Sequence, residues 1–289
     1  MIPASFAYTR PKSLDEALRL LAGGADGGTK VIAGGQSLLP LLKLRLAKAD
    51  RLIDIARLDE LRGVRRLPDG GLAVGALTTY AELMETDARV YGLFRDAVPG
   101  IADVQTRYRG TVGGSIAHAD PASDMPACLL ALDAEVVARS ATGERTIPIT
   151  EFFEDSFQTA LEPDEILTEI RLPAGRHDAG SAYCAMEQPA SGYAIVGVAA
   201  VVIRPSAKAP IASCSIAITG VGPVAYRAGA VEKALTGSDG STEAIATAAS
   251  HATDGVTVNG DIHADSAYRA EMARVFTGRA VEAALARLG

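Results

Sequence analysis

The order of strand-like and helical stretches in the sequence predicts an α+β protein. In the first part of the chain the two kinds of stretch alternate, as in strands covered by helices. In the last part, strand-like runs come first and helical stretches follow, which is typical of an α+β domain. A length of 289 residues favours about two domains.

The individual elements follow from capping residues and hydrophobic spacing. Ser13 with Glu16, and Thr79 with Glu82, are capping boxes that begin helices. Apolar runs bounded by turn residues predict strands at 30–33, 52–55, 72–76, 135–139, 145–149, 166–172, 194–203 and 213–219. Helical spacing and caps predict helices at 13–23, 37–46, 79–90, 91–103, 123–132, 227–235, 242–251 and 267–288. Residues 110–121 are rich in Gly, Ser and Asp and predict a loop, and residues 173–180 predict a domain boundary.

Composition excludes several classes of protein. A hydrophobic content of 48% supports a sizeable core, and a net charge of -7 argues against non-specific nucleic-acid binding. Three widely spaced cysteines and four scattered histidines have no metal-ligand spacing, so no metal centre is expected in this chain. The N-terminus has no secretory pattern and the longest apolar stretch is short, so we expect a cytoplasmic protein without stable membrane insertion.

Two glycine segments carry the candidate chemistry. The first, Ala33-Gly34-Gly35-Gln36-Ser37, joins a strand to a helix, where free backbone N–H groups favour an anion. A plain tight turn is the alternative. The second, Thr111-Val112-Gly113-Gly114-Ser115, adds two hydroxyls and is followed by Asp124, a carboxylate for a ribityl hydroxyl or ring N–H, or merely a helix cap.

The spacing of the glycines excludes two common nucleotide motifs. G-x-G-x-x-G is absent, so the chain has no Rossmann fingerprint. The stretch from Gly23 to Lys30 ends in Gly28-Thr29-Lys30, which reverses the lysine and hydroxyl order of a P-loop. A Rossmann dehydrogenase and a P-loop NTPase are therefore not predicted.

Taken together, four stretches resemble the FAD-binding medium subunit of the molybdenum hydroxylases, the xanthine dehydrogenase and aerobic carbon monoxide dehydrogenase family. They are 30–40 with its Ala-Gly-Gly-Gln-Ser core, 109–124 with Thr-Val-Gly-Gly-Ser and Asp-Pro-Ala-Ser-Asp, 188–199, and 261–269. The resemblance covers nearly the whole chain. One departure is that no Lys or Arg lies between Tyr183 and Ala194, where members often have a basic residue.

The resemblance implies an FAD-binding domain of the vanillyl-alcohol oxidase-like (PCMH) type at 1–175, with subdomains of about 1–56 and 57–175. A C-terminal domain at 176–289 would pack an antiparallel sheet against a helix bundle. FAD would lie between the two glycine segments. The implied cofactor-binding residues are Lys30, Val31, Ile32, Ala33, Gly34, Gly35, Gln36, Ser37, Leu38, Ile101, Ala102, Thr111, Gly114, Ser115, Ala117, Ser123, Asp124, Ile166, Leu167 and Tyr193.

In this family, Asp124 would lie near the flavin ring, Ile166 and Leu167 would form an apolar pair beside it, and Tyr193 resembles a tyrosine that sits against the isoalloxazine. A half-buried core tyrosine is the alternative for Tyr193. No residue is assigned as catalytic or as a metal ligand, because the redox chemistry would belong to the flavin.

The implied function is electron transfer within a complex. A large molybdopterin subunit would oxidise the substrate, [2Fe–2S] clusters in a small subunit would carry electrons, and FAD in this chain would pass them to an external acceptor. The assembly would be a dimer of heterotrimers, that is a heterohexamer. A self-contained flavin oxidase and a nucleotide-binding module without redox role are the alternatives.

Overall fold

The computed structural model describes residues 2–24, 28–87 and 91–288. The strands are β1 (Ala7–Thr9), β2 (Thr29–Ile32), β3 (Arg51–Asp54), β4 (Val64–Arg66), β5 (Leu72–Gly75), β6 (Glu135–Arg139), β7 (Glu144–Pro148), β8 (Phe153–Asp155), β9 (Gln158–Thr159), β10 (Ile166–Leu172), β11 (Ala179–Glu187), β12 (Ala194–Ile203), β13 (Ser213–Thr219) and β14 (Tyr226–Arg227). The helices are α1 (Leu14–Ala22), α2 (Leu38–Leu44), α3 (Tyr80–Met84), α4 (Gly92–Ala97), α5 (Val104–Arg107), α6 (Val112–His118), α7 (Asp124–Ala131), α8 (Gly229–Leu235), α9 (Thr242–Ala249) and α10 (Ser266–Leu285). Within the described residues, no helix has the length and apolar composition needed to cross a membrane.

The N-terminal sheet is parallel, with β3 between β1 and β2. Helix α1 begins at Ser13, whose side chain accepts from the Glu16 N–H, and it buries Leu14, Ala17, Leu18 and Leu21. These side chains share one apolar cluster with Ile53 of β3 and with Ile166 of β10. The small sheet is therefore joined through its core to the next part of the chain.

The second sheet is antiparallel and has the order β4-β5-β10-β6-β7. Its largest apolar cluster includes the wholly buried helix α7, together with Val74, Val136 and Ile170 from three of the strands. Helix α6 lies in the same cluster through Val112 and Ile116. The second glycine segment thus lies on the core of this sheet.

The third sheet, β11-β12-β13-β14, is antiparallel and buried on both faces. On β12, Val198 and Ala200 point into the cluster formed with α8, α9 and α10, whereas Ala199 between them points into the cluster that contains α7. Burial on both faces explains why residues 194–203 form a continuous apolar run rather than an alternating one.

Most predicted strands and helices are present, with ends that differ by a few residues. The predicted helix at 91–103 is instead α4 followed by a 3-10 turn at Val98–Gly100, and the separate helix α5 begins only after the predicted range. Helix α3 ends at Met84, so the predicted continuation of the helix over residues 85–87 is wrong, and the remaining predicted residues, 88–90, lie outside the described residues. Strand β11 was not predicted from the sequence, because its Gly, Ala, Ser and Cys residues have low strand propensity.

The predicted loop at 110–121 is wrong, because Val112–His118 forms helix α6. Thr111 caps this helix by accepting from the Gly114 N–H. Gly113 serves close packing rather than a turn, since a Cβ atom there would lie 2.5 Å from the Ala76 Cβ. Glycine content alone therefore gave the wrong secondary structure for this segment.

Candidate cofactor site

The two glycine segments lie directly against each other. A Cβ atom on Gly34 would lie 2.1 Å from the Arg109 carbonyl oxygen and 3.0 Å from the Gly110 Cα. A Cβ atom on Gly114 would lie 3.7 Å from the Ala33 Cβ. Since no side chain fits at position 34, the segments approach through their backbones. Residues some eighty positions apart in the chain thus form one groove.

The first segment lines this groove with backbone donors. Among the described residues, no acceptor is present for the N–H groups of Gly34, Gly35, Gln36 or Ser37. Gly35 has a φ of 76°, which favours glycine, and Ser37 makes no side-chain cap for α2. The exposed Gln36 side chain turns back and its Nε2 donates to the Gly34 carbonyl at 3.3 Å. Consecutive free N–H groups of this kind form a concave site for an anion.

The second segment has a different hydrogen-bonding state. The N–H groups of Val112 and Gly113 donate to the Thr78 and Ala76 carbonyls, each at 2.9 Å, and the Gly114 N–H donates to the Thr111 hydroxyl at 3.1 Å. Apart from Thr111, whose N–H has no acceptor among the described residues, the segment therefore offers side chains rather than backbone N–H groups. Its exposed positions are Gly114 and Ala117, on the small-residue side of α6.

Ser115 and Ser123 form a hydroxyl pair at the end of the groove. Their Oγ atoms are 3.1 Å apart, and either can be the donor. Ser123 precedes α7 without capping it through its side chain. Both hydroxyls can therefore turn towards a polar ligand.

Two further loops that carry predicted residues pack together. A Cβ atom on Gly192 would lie 3.1 Å from the Gly100 carbonyl oxygen and 3.4 Å from the Ala102 nitrogen. Arg107 fixes the first loop, because its Nη1 donates to the carbonyls of Ile101 at 2.8 Å and Ala102 at 2.7 Å. Ala102 has a φ of 47°, in the left-handed region.

Tyr193 follows Gly192 and is 44% exposed. It borders a cavity of about 250 Å³ together with Asp120, Gln188 and Ser191. The predicted residues Ile101, Ala102 and Tyr193 are thus brought to one place.

Asp124 is the buried acid of the site. It is the first residue of α7 rather than its cap, and its Oδ1 accepts from the Tyr183 hydroxyl at 2.5 Å. Burial raises the pKa of Asp124 to about 7; the charge of Glu187 also raises it, whereas the bond from Tyr183 lowers it. Asp124 can therefore take up or release a proton near neutral pH.

The apolar residues of the prediction divide between three clusters. Val31 and Ala33 pack against the cluster that contains Ile166, directly beneath the first segment. Ile32 and Leu38 pack on the opposite side, with Leu42 and Leu52, while Leu167 lies in the large core of the second sheet. The remaining predicted residue, Lys30, is exposed on β2.

Sequence reasoning missed three residues of this region: Arg107, Tyr183 and Gly197. Each acts at a distance along the chain or through the backbone, so no local motif marks it. A Cβ atom on Gly197 would lie 2.0 Å from the Tyr183 hydroxyl, so a glycine inside an otherwise apolar strand was the available signal.

Comparison with known proteins identifies the class. The family model described as the FAD binding domain in molybdopterin dehydrogenase matches residues 4–175, and the one described as the CO dehydrogenase flavoprotein C-terminal domain matches residues 181–284. The chain belongs to this family of FAD-binding subunits of molybdenum hydroxylases, and it is an oxidoreductase subunit with FAD as its cofactor.

Individual relatives agree over their full length. The chain is 39% identical to the carbon monoxide dehydrogenase medium chain of Hydrogenophaga pseudoflava, with 99% of each chain covered. It is 38% identical to subunit alpha of the 6-hydroxypseudooxynicotine dehydrogenase complex of Paenarthrobacter nicotinovorans, covering 99% of this chain and 97% of the relative.

Solved structures extend the agreement to the fold. The carbon monoxide dehydrogenase of Hydrogenophaga pseudoflava that lacks the Mo-pyranopterin moiety matches with a TM-score of 0.95 and 39% identity, over all of both chains. Quinoline 2-oxidoreductase from Pseudomonas putida 86 matches with a TM-score of 0.91 and 31% identity, over 100% of this chain and 99% of that one.

Proposed function

We propose that this chain is the electron-transfer subunit of a molybdenum- and iron–sulfur-containing dehydrogenase. It takes electrons from [2Fe–2S] clusters of a small partner subunit and passes them to an external acceptor. A large molybdopterin subunit oxidises the substrate, and two such heterotrimers form the complex. The observation that carries the proposal is the groove between the glycine segments, in a chain whose relatives are named as medium chains or subunits of dehydrogenases.

The groove fits the diphosphate of FAD. The free N–H groups from Gly34 to Ser37 supply donors to a dianionic group. A Cβ atom at Gly34 would collide with the Arg109 carbonyl oxygen and push the two segments apart, so a glycine is required at this position. On the facing side, the hydroxyls of Thr111 and Ser115 complete the polar lining.

The other predicted residues orient the rest of the cofactor. Val31 and Ala33, above Ile166, form an apolar floor beside the groove. Ile101 and Ala102, held by Arg107, form one side of the site together with the loop of Tyr193, which packs against them. Asp124 supplies the titratable group close to the ring. When bound, FAD accepts and releases electron pairs, and the protein contributes its placement and the surrounding electrostatics.

The test is reduction of the flavin by a partner. We expect the full-length chain to bind one FAD and to remain inactive towards organic substrates alone. Purified from its host, it is expected to carry molybdenum- and iron-containing partner chains, and substrate is then expected to bleach the flavin absorbance. A substrate screen on this complex identifies the compound that it oxidises.

Two results would overturn the proposal in different ways. Oxidation of an organic substrate by the chain without molybdenum or iron would make it a self-contained flavin oxidase. Failure to bind any flavin, alone or in a complex, would leave a nucleotide-binding module without redox role. The matched control is the same complex with the flavin removed, in which substrate should still reduce the iron–sulfur clusters.

A further inference from the structure

The Asp124 carboxyl is buried at the back of the candidate site. The bond from Tyr183 crosses the interface between the two matched domains, because Asp124 lies in the first and Tyr183 in the second. Both residues are 8% exposed. Oδ2, the other carboxyl oxygen of Asp124, has no hydrogen-bond partner among the described residues. One oxygen is thus held and the other is available.

Two contacts fix the position of Tyr183. Its own N–H donates to the Asp96 carboxylate at 3.0 Å, which anchors the residue to α4. Gly197 on the neighbouring strand leaves the space that the hydroxyl occupies, since a Cβ atom there would lie 2.0 Å from it. The geometry leaves the hydroxyl directed at Asp124.

The groups that face Asp124 differ in their effect on its charge. Burial and the neighbouring Asp124 raise the pKa of Tyr183 well above its usual value, so Tyr183 stays protonated and donates. The hydrogen bond from Tyr183 stabilises the charged form of Asp124, whereas the negative charge of Glu187, on the same strand as Tyr183, disfavours that form. The further titratable groups that face it are Tyr80 on α3, Cys128 on α7, and Tyr193 in the loop before β12.

We propose that Tyr183 is a positioning residue for Asp124: by donating to one carboxyl oxygen, it holds the buried acid in place beside the flavin ring and stabilises its charged form. The part that concerns the flavin rests on the proposed function. Without the donor, burial and Glu187 would hold the acid in its neutral form over a wider pH range. A nearby carboxylate disfavours added negative charge on the ring, so the state of Asp124 tunes the reduction potential.

The experiment is an infrared titration of the full-length chain, which follows the carbonyl stretch of protonated carboxyl groups. We expect one buried carboxyl to titrate near neutral pH in the wild type, and Asp124→Asn to remove that signal. In Tyr183→Phe the midpoint should rise by about one to two pH units, because a hydrogen bond to a charged group is lost.

Tyr226→Phe is the matched control. Tyr226 is also a tyrosine of the C-terminal domain, but its hydroxyl donates to the Ala252 carbonyl at 2.9 Å, on the far side of the sheet. This variant should leave the titration unchanged. In flavin-loaded protein, the pH at which the midpoint potential changes its slope should move upward in Tyr183→Phe and remain in place in Tyr226→Phe.

The proposal fails if Tyr183→Phe titrates as the wild type does, or if no carboxyl signal near neutral pH depends on Asp124. The second outcome needs only the wild type and Asp124→Asn, so it decides the matter even if Tyr183→Phe does not fold. Failure of the proposed function is a separate result, since the infrared titration requires neither bound flavin nor a partner.

Discussion

The two glycine segments have similar sequences but opposite structural states. Between Gly34 and Ser37, four consecutive N–H groups have no acceptor among the described residues. In the second segment, the N–H groups of Val112, Gly113 and Gly114 all have partners within the protein. The same Gly-Gly pair therefore provides free donors in one segment and close helix packing in the other.

This difference shows that one wall of a binding site can supply the hydrogen-bond donors while the other supplies structural support. The first wall is half-exposed and offers hydrogen-bond donors, whereas the second is built on α6 and the buried helix α7 and ends at Asp124. Substitutions in the first wall are expected to affect FAD binding first. Substitutions in the second are expected to affect stability and its pH dependence as well.

The largest effect is expected from Gly34→Ala, which separates the walls. The added Cβ atom would lie 2.1 Å from the Arg109 carbonyl oxygen, a distance that requires the backbone to move. The dissociation constant for FAD, measured by fluorescence titration, should rise at least about a hundredfold, or about 3 kcal/mol.

Gly143→Ala is the control for this substitution, because no atom lies within 4 Å of a Cβ atom built there. It should bind FAD as the wild type does. Wild-type affinity in Gly34→Ala would mean that the contact between the two segments is not needed for the cofactor.

A smaller effect, confined to the second wall, is expected from Asp124→Asn as a function of pH. The pKa of Asp124 is raised by burial to about 7 in the folded protein, so between about pH 4 and 7 the folded state binds more protons than the unfolded state. Wild-type stability should therefore fall as pH rises through this window and level off above it. Asparagine can still accept from Tyr183 but does not titrate.

Urea unfolding at two pH values measures this contribution. Relative to the wild type, Asp124→Asn should gain about 2 kcal/mol of unfolding free energy between about pH 5 and 8. Asp155→Asn, which removes an exposed carboxylate, supplies the baseline. A difference between Asp124→Asn and wild type that stays constant over this pH range would contradict a buried, titrating Asp124.

The sequence predicted the fold class, most of the elements and the family, because caps, apolar runs and glycine pairs are local signals. It did not predict α6, since Gly113 and Gly114 indicate a turn unless the packing of Gly113 against Ala76 is known. It also did not predict that Tyr183 bonds Asp124, because the two lie 59 residues apart and meet only when the third sheet packs on α7. The roles of the predicted FAD-binding residues remain predictions.

The smallest expected effect is a difference in stability between substitutions at the start of α6 and at the start of α2. Thr111 caps α6 through its hydroxyl, whereas Ser37 precedes α2 without a side-chain cap. Thr111→Val should therefore lower the free energy of unfolding by about 1 kcal/mol. Ser37→Ala should change it by less than about 0.5 kcal/mol, as for other substitutions that remove no internal bond.

The same two variants also test which wall holds the cofactor, because Ser37 and Thr111 are both among the residues predicted to bind FAD. If Ser37 serves the ligand and Thr111 serves the helix, FAD should protect the wild type and Thr111→Val from urea by similar increments, and Ser37→Ala by a smaller one. Equal loss of stability in the two cofactor-free variants would contradict the asymmetry, since it would mean that Ser37 caps its helix after all. A loss of FAD protection in Thr111→Val alone would instead assign the diphosphate to the second wall.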